Sequence, residues 1–147
     1  MDSHRSRKRL AQSAAARPDN EDIDPPPLAL VVESLLGVPG SAATALRRGG
    51  FCVSTVTSCR EALARLDRDL PTGVLVLDVL VLRPTCFRLI ETIRAHKYWS
   101  SVVLVVLSPG DTHDNIQRVF ESGSDDYILK PIDGDLLSTQ ILRMITA

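Results

Sequence analysis

The amino-acid sequence predicts an α/β fold, a doubly wound five-stranded parallel sheet in the order 2-1-3-4-5. Short apolar runs alternate with helix-compatible stretches along residues 28–146, which is typical of consecutive β-strand–helix units. The first, third and fourth apolar runs are almost wholly Val, Leu and Ala, as in strands that helices cover on both faces. Right-handed crossovers then leave few topologies, and we expect this one.

The first half of the predicted domain contains three strands and two helices. The strands are LALVV (28–32), FCVSTV (51–56) and GVLVLD (73–78). The stretch SAATALRR follows the first strand as a helix, and SCREALARLDRDL follows the second. Ser58 and Glu61 have the spacing of a capping box, which predicts that the second helix begins there.

The second half contains three helices and two strands. CFRLIETIRAHK is the third helix, and SVVLVVLS (101–108) is the fourth strand. The fourth helix should run from about 112 to 122, with three apolar residues facing the sheet: Ile116, Val119 and Phe120. DYILK (126–130) is the fifth strand, and DLLSTQILRMI (135–145) is the last helix.

Composition excludes several classes of protein and divides the chain in two. The 147 residues carry a net charge of −1, which gives no general attraction to nucleic acid or to a membrane surface. Residues 1–27 are basic, then acidic, and end in three prolines. They predict a flexible N-terminal tail before a domain at 28–147. The three cysteines form no CxxC motif and predict reduced thiols in a cytoplasmic protein.

Polar residues end four of the apolar strands, and they lie at one edge of the predicted sheet. Glu33 and Ser34 follow the first strand, Asp78 ends the third, Ser108 the fourth and Lys130 the fifth. Ligands of open α/β sheets bind at the carboxyl ends of the strands, near the switch point. Two carboxylates can hold Mg²⁺, and an aspartate beside such a cation and a lysine can attack phosphorus.

These residues resemble the receiver domain of two-component response regulators, and the resemblance covers residues 28–146. It rests on four segments: LALVVES, VLVLD, VVLVVLS and SGSDDYILKP. The resemblance implies that Asp78 is the phosphoacceptor, that Ser108 and Lys130 assist it, and that Tyr127 occupies the family's aromatic position. It implies phosphorelay signal transduction, a histidine kinase or phosphotransfer protein as donor, Mg²⁺ as cofactor, and a signalling module that is not an enzyme.

The sequence departs from the family pattern in its acidic pair. Ser34 stands where the family has its main metal-binding aspartate, which leaves Glu33 and Asp78 as metal ligands and implies weak Mg²⁺ binding. Leu82, Cys86 and Pro109 replace the usual residues of nearby loops. We therefore expect weakened phosphotransfer. The alternative is a pseudo-receiver, the same fold acting as a protein-interaction module that needs no phosphorylation.

The resemblance also implies a partner-binding face formed by the fourth helix, the fifth strand and the fifth helix. We expect Arg118 and Tyr127 on it, because arginine and tyrosine are enriched at binding hot spots, and a second copy of the chain is one candidate partner. Structural interpretations stay open for the site as well. Ser108 could cap a helix, Tyr127 could be a half-buried aromatic, and Asp78 or Glu33 could simply pair with Lys130.

Overall fold

A computed structural model of the chain describes residues 25–33, 41–79, 82–108, 110 and 113–146. Residues 1–24 of the predicted tail lie outside the described residues, and so do Ser34 and Pro109. None of the helices within the described ranges has the length and apolar character needed to cross a membrane.

Five parallel strands form one sheet in the order β2-β1-β3-β4-β5, as the sequence predicts. They are β1 (Leu28–Glu33), β2 (Cys52–Val56), β3 (Val74–Asp78), β4 (Val103–Ser108) and β5 (Asp126–Leu129). Every residue of β3 is buried, because this strand lies in the middle of the sheet and helices cover both its faces.

Five helices connect and cover the strands: α1 (Ser41–Arg48), α2 (Cys59–Arg65), α3 (Pro84–Ala95), α4 (His113–Ser122) and α5 (Gly134–Thr146). At the start of α2, Ser58 Oγ accepts a hydrogen bond from Glu61 N at 3.0 Å. Glu61 Oε2 accepts a hydrogen bond from Thr57 N at 2.9 Å. The glutamate of the predicted capping box thus binds the residue before the N-cap Ser58. Helix α3 begins two residues earlier than its predicted stretch because Pro84 fits the first helical turn.

The hydrophobic core has two parts, one on each face of the sheet. Leu75 and Leu77 point into the part beneath α2, α3 and α4, and Val74 and Val76 point into the part beneath α1 and α5. This alternation follows from the two-residue period of a strand. In α4, Val119 is fully buried as predicted.

The prediction that Phe120 faces the sheet is wrong, because 45% of this residue is exposed. Phe120 follows Val119 directly, and consecutive helical positions are about 100° apart around the axis. With Val119 directed into the core, Phe120 is turned away from it. The apolar stripe of α4 is therefore narrower than the sequence suggests.

The guanidinium of Arg94, in the last turn of α3, binds the segments that lead into β4 and β5. Its Nε donates to Gly123 O at 2.7 Å, its Nη1 donates to Val102 O at 2.6 Å, and its Nη2 bonds Asp125 Oδ2 at 2.8 Å. The same Asp125 oxygen accepts from Leu104 N at 2.8 Å. One arginine thus connects α3, β4 and the turn between α4 and β5.

Candidate functional site

The carboxyl ends of β1 and β3 bring two carboxylates side by side. Glu33 and Asp78 are register partners in the parallel pairing of these strands. Since parallel strands end at the same edge of a sheet, each strand places its last side chain next to that of its neighbour. The structure thus brings together the two residues that the sequence predicts as metal ligands.

Asp78 is buried and paired with Lys130. Only 4% of Asp78 is exposed, and its Oδ1 forms an ion pair with Lys130 Nζ. The backbone places the lysine there: Lys130 directly follows β5, and its N–H donates to Ser108 O at 2.9 Å. The peptide bond from Lys130 to Pro131 is cis. A buried carboxylate needs such a partner, because an isolated buried charge is strongly destabilising.

Ser108 lies between these two residues in the sheet, at the end of β4, and is fully buried. Its Oγ donates to Gly110 O at 3.3 Å and accepts from Gly110 N at 3.5 Å. Both distances are longer than is usual for hydroxyl hydrogen bonds. The hydroxyl therefore closes a turn two residues ahead, and its long hydrogen bonds leave it able to bind another oxygen acceptor.

Glu33 carries a buried carboxylate oxygen, Oε1, that has no hydrogen-bond partner among the described residues. Such an atom is costly unless something satisfies it. A hard cation is one answer, because Mg²⁺ prefers carboxylate oxygens and water. The donor set of Glu33 and Asp78 fits Mg²⁺, although no group of three or more metal-binding side chains occurs within the described ranges.

Arg118 of α4 is exposed, as the sequence predicts, and Tyr127 of β5 is half-buried. Their role in binding a partner stays a prediction. Tyr127 pairs with Val106 in the sheet and packs against the core beneath α3 and α4, and its hydroxyl is buried. The Arg118 guanidinium lies 4.0 Å from the centre of the Phe87 ring in α3. Strand register turns the tyrosine inward, and cation–π attraction holds the arginine toward α3.

Three large apolar residues are exposed where the sequence predicts a partner-binding face. They are Phe120 of α4 at 45%, Leu129 of β5 at 56% and Leu136 of α5 at 61%. The pattern of alternating burial in a short edge strand does not identify such residues in advance. Each of the three elements of the predicted face thus carries one apolar side chain in contact with solvent.

Sequence reasoning missed a pair of cysteines close to this edge of the sheet. The sulfurs of Cys59, the first residue of α2, and Cys86, in the first turn of α3, are 3.5 Å apart. Both residues are buried, whereas Cys52 is exposed. No local signal reveals the pair, because the two cysteines are 27 residues apart in the chain.

Comparison with known proteins points to one family. The model of the response regulator receiver domain matches residues 30–142. The two-component response regulator ORR3 of Oryza sativa subsp. indica is 25% identical over 83% of this chain and 93% of its own. Protein RcaC of Microchaete diplosiphon is 30% identical over 69% of this chain. The matched region spans 16% of the length of that protein.

Solved structures share the fold. One is the receiver domain of the sensor histidine kinase PA1611 from Pseudomonas aeruginosa PAO1, which has a magnesium ion in its active-site cleft. It aligns with a TM-score of 0.72 at 20% identity, over 83% of this chain and 99% of that domain. At this level of identity the likeness concerns the backbone arrangement.

Proposed function

This chain belongs to the response regulator receiver domain family, and from that premise we propose that it accepts a phosphoryl group on Asp78 in a Mg²⁺-dependent transfer that weak Mg²⁺ binding impairs. Receiver domains are signalling modules of two-component systems, and they interact with histidine kinases or phosphotransfer proteins. The observation that carries the proposal is the burial of Asp78 between Glu33 and the ammonium of Lys130. The three free cysteines agree with the cytoplasm as its location.

The residues of the site have distinct roles in the proposed transfer. An Asp78 carboxylate oxygen attacks the phosphorus of a phosphohistidine, so that a P–O bond forms and the P–N bond to the donor breaks. The Lys130 ammonium stays beside the oxygen with which it is paired and offsets the incoming negative charge. The Ser108 hydroxyl exchanges its long bond to Gly110 for a phosphoryl oxygen. Mg²⁺, held by Glu33 and Asp78, would supply further positive charge.

Weak Mg²⁺ binding follows from the charge at the acidic pair. Ser34, outside the described residues, provides no carboxylate where the family has its main metal ligand. The cation site then has one negative charge fewer, and affinity for Mg²⁺ falls as ligand charge is removed. We expect Ser34→Asp to tighten Mg²⁺ binding, because it restores that charge.

The test is phosphorylation by a small-molecule phosphodonor, read by intact mass across a series of Mg²⁺ concentrations. We expect one phosphoryl group on the wild-type chain, none on Asp78→Asn, and a lower half-saturating Mg²⁺ concentration for Ser34→Asp. Ser101→Asp, which adds the same charge at an exposed position at the amino end of β4, should resemble the wild type. Modification that persists in Asp78→Asn would contradict the proposal.

A chain that takes no phosphoryl group, with and without Ser34→Asp, would favour the pseudo-receiver. The exposed Phe120, Leu129 and Leu136 support this second function, since exposed large apolar side chains on α4, β5 and α5 are typical of a binding surface. We propose that α4, β5 and α5 bind a protein partner or a second copy of the chain.

The partner-binding proposal is tested by the mass of the chain in solution across a concentration series. If the partner is a second copy, Phe120→Asp should lower the average mass at high concentration. Leu70→Asp is the matched control, because Leu70 is 71% exposed on a different part of the chain. Equal effects of the two variants would count against a specific face, and a monomer at every concentration would leave another protein as the partner.

A further inference from the structure

The two buried cysteines join the helices that lead to and from the phosphoacceptor strand. Cys59 is 7% exposed and Cys86 is 3% exposed, and their sulfurs are 3.5 Å apart. Strand β3 and Asp78 lie between them in the chain. Cys86 lies in the first turn of α3, and one loop connects this turn to Asp78. A chemical change at the Cys86 sulfur can therefore displace the end of that loop.

The two thiols have different chemical characters. The Cys59 S–H donates a hydrogen bond to the Cys86 sulfur, and this bond, with help from the Arg83 backbone and charge, lowers the pKa of Cys86 to about 7. Cys59 keeps the shared proton, and that hydrogen bond together with burial raises its pKa well above the usual value. Cys86 also lies in the first turn of a 12-residue helix, where the dipole favours a thiolate.

We propose that Cys59 and Cys86 form a reversible disulfide on reaction with hydrogen peroxide, and that this bond restrains the loop after Asp78. The Cys86 thiolate attacks one peroxide oxygen, the O–O bond breaks, and Cys86 becomes a sulfenic acid while water leaves after protonation. The Cys59 sulfur then attacks the Cys86 sulfur, the S–O bond breaks, and a second water carries away the Cys59 proton. The pair is oxidised by two electrons, and the peroxide is reduced.

The geometry favours this pair and this class of oxidant. The sulfurs are 3.5 Å apart and need to approach to roughly 2.05 Å, a movement on the order of 1.5 Å. Their burial admits a small peroxide more readily than a bulky disulfide such as oxidised glutathione. The proposal does not require that Asp78 be phosphorylated, so its outcome is independent of the proposed function.

The experiment uses the full chain carrying Cys52→Ser, which removes the exposed thiol. After treatment with hydrogen peroxide, the protein is denatured, alkylated with N-ethylmaleimide and weighed by mass spectrometry. We expect neither cysteine to be alkylated, and a mass two hydrogens below that of the reduced, unalkylated chain. A linked peptide should join Cys59 to Cys86, and dithiothreitol should reverse the change. Two alkylated cysteines after treatment, or added oxygen without a linkage, would overturn the proposal.

Single variants assign the order of the two steps. In Cys59→Ser, where the hydroxyl can still donate to the Cys86 sulfur, the sulfenic acid on Cys86 has no partner thiol and should be trapped by dimedone. Cys86→Ala should leave Cys59 unmodified. The rate of the first step should rise between about pH 6 and 8, as Cys86 loses its proton. The reverse pattern of trapping would overturn the assignment, and the unmutated pair still tests the disulfide if either variant fails to fold.

The restraint on the loop is measured by backbone amide shifts of the reduced and oxidised chain. The amides of Val79, Leu82 and Arg83 should shift on oxidation, because they connect Asp78 to α3. Amides at the C-terminal end of α5 serve as the reference and should stay in place. Shifts confined to the two cysteines would overturn the link to the phosphoacceptor loop.

Discussion

The two edges of the sheet treat their polar groups in opposite ways. At the amino edge, Arg94 and Asp125 are hydrogen-bonded to backbone and to each other, and Trp99 donates its indole N–H to Leu66 O at 3.0 Å. At the carboxyl edge, Glu33 has a buried oxygen without a hydrogen bond among the described residues. Asp78 depends on one lysine.

This difference separates the part of the molecule that secures the fold from the part to which the proposed chemistry belongs. A fully bonded network stabilises one arrangement, and it has little capacity to accept a new ligand. Groups that lack partners reduce stability, but they are ready to bind a cation or a phosphoryl group. The contrast predicts that a substitution lowers stability where it removes a paired polar group, and raises it where the group has no partner.

The largest effect should come from Arg94→Ala at the amino edge. The substitution removes the partner of Asp125 and of three backbone carbonyls, those of Ser100, Val102 and Gly123. We expect the free energy of unfolding in urea to fall by ~4 kcal/mol, since hydrogen bonds to charged groups contribute ~1.5 kcal/mol or more each. Arg88→Ala, at an exposed position of the same helix, should cost under ~0.5 kcal/mol. Similar losses for the two variants would remove the contrast.

The ion pair at the carboxyl edge should give the next largest effect. Lys130→Met leaves the buried Asp78 without its counter-ion, and we expect a loss of ~3 kcal/mol in the same measurement. The double variant with Asp78→Asn should recover part of this loss, because the uncompensated charge is gone. Additive losses in the two single variants and the double variant would mean that the residues are not coupled. Lys97→Met, at an exposed lysine, is the control.

The smallest effect, and the one of opposite sign, should come from Glu33→Gln. This change removes a negative charge beside Asp78 from a side chain whose Oε1 has no hydrogen bond within the described residues. We expect the chain without Mg²⁺ to gain up to ~1 kcal/mol, seen as a higher melting temperature, since sites of function often reduce stability. Glu91→Gln, on an exposed position of α3, should leave the melting temperature unchanged. A clear loss on Glu33→Gln would show that its carboxylate supports the fold.

The carboxyl edge could be predicted from the sequence because topology alone places it. Parallel strands end at a common edge, so polar residues that end apolar runs must meet there once the strand order is known. Asp78, Lys130 and Ser108 lie together for that reason, and their pairing needed no knowledge of side-chain conformation. The acidic pair is only half described, since Ser34 lies outside the described residues.

Features that depend on rotation or on distant contacts could not be predicted in this way. Three apolar residues in α4 allowed more than one orientation of the helix, and the choice of Val119 over Phe120 is made by packing against α3 and the sheet. Arg94 reaches Asp125, 31 residues away, and Cys59 meets Cys86 with no local motif at either end. Such contacts arise only when distant segments pack together, and no local pattern of residues predicts them.

The bond from Arg94 to Gly123 O also anchors one end of α4. It fixes the residue that follows the C-terminal end of the helix, whereas the N-terminal end follows the loop after Ser108. A 10-residue helix is about 15 Å long. A rotation of α4 about Gly123 would therefore displace its first turn most and leave Phe120, three residues before the glycine, almost in place.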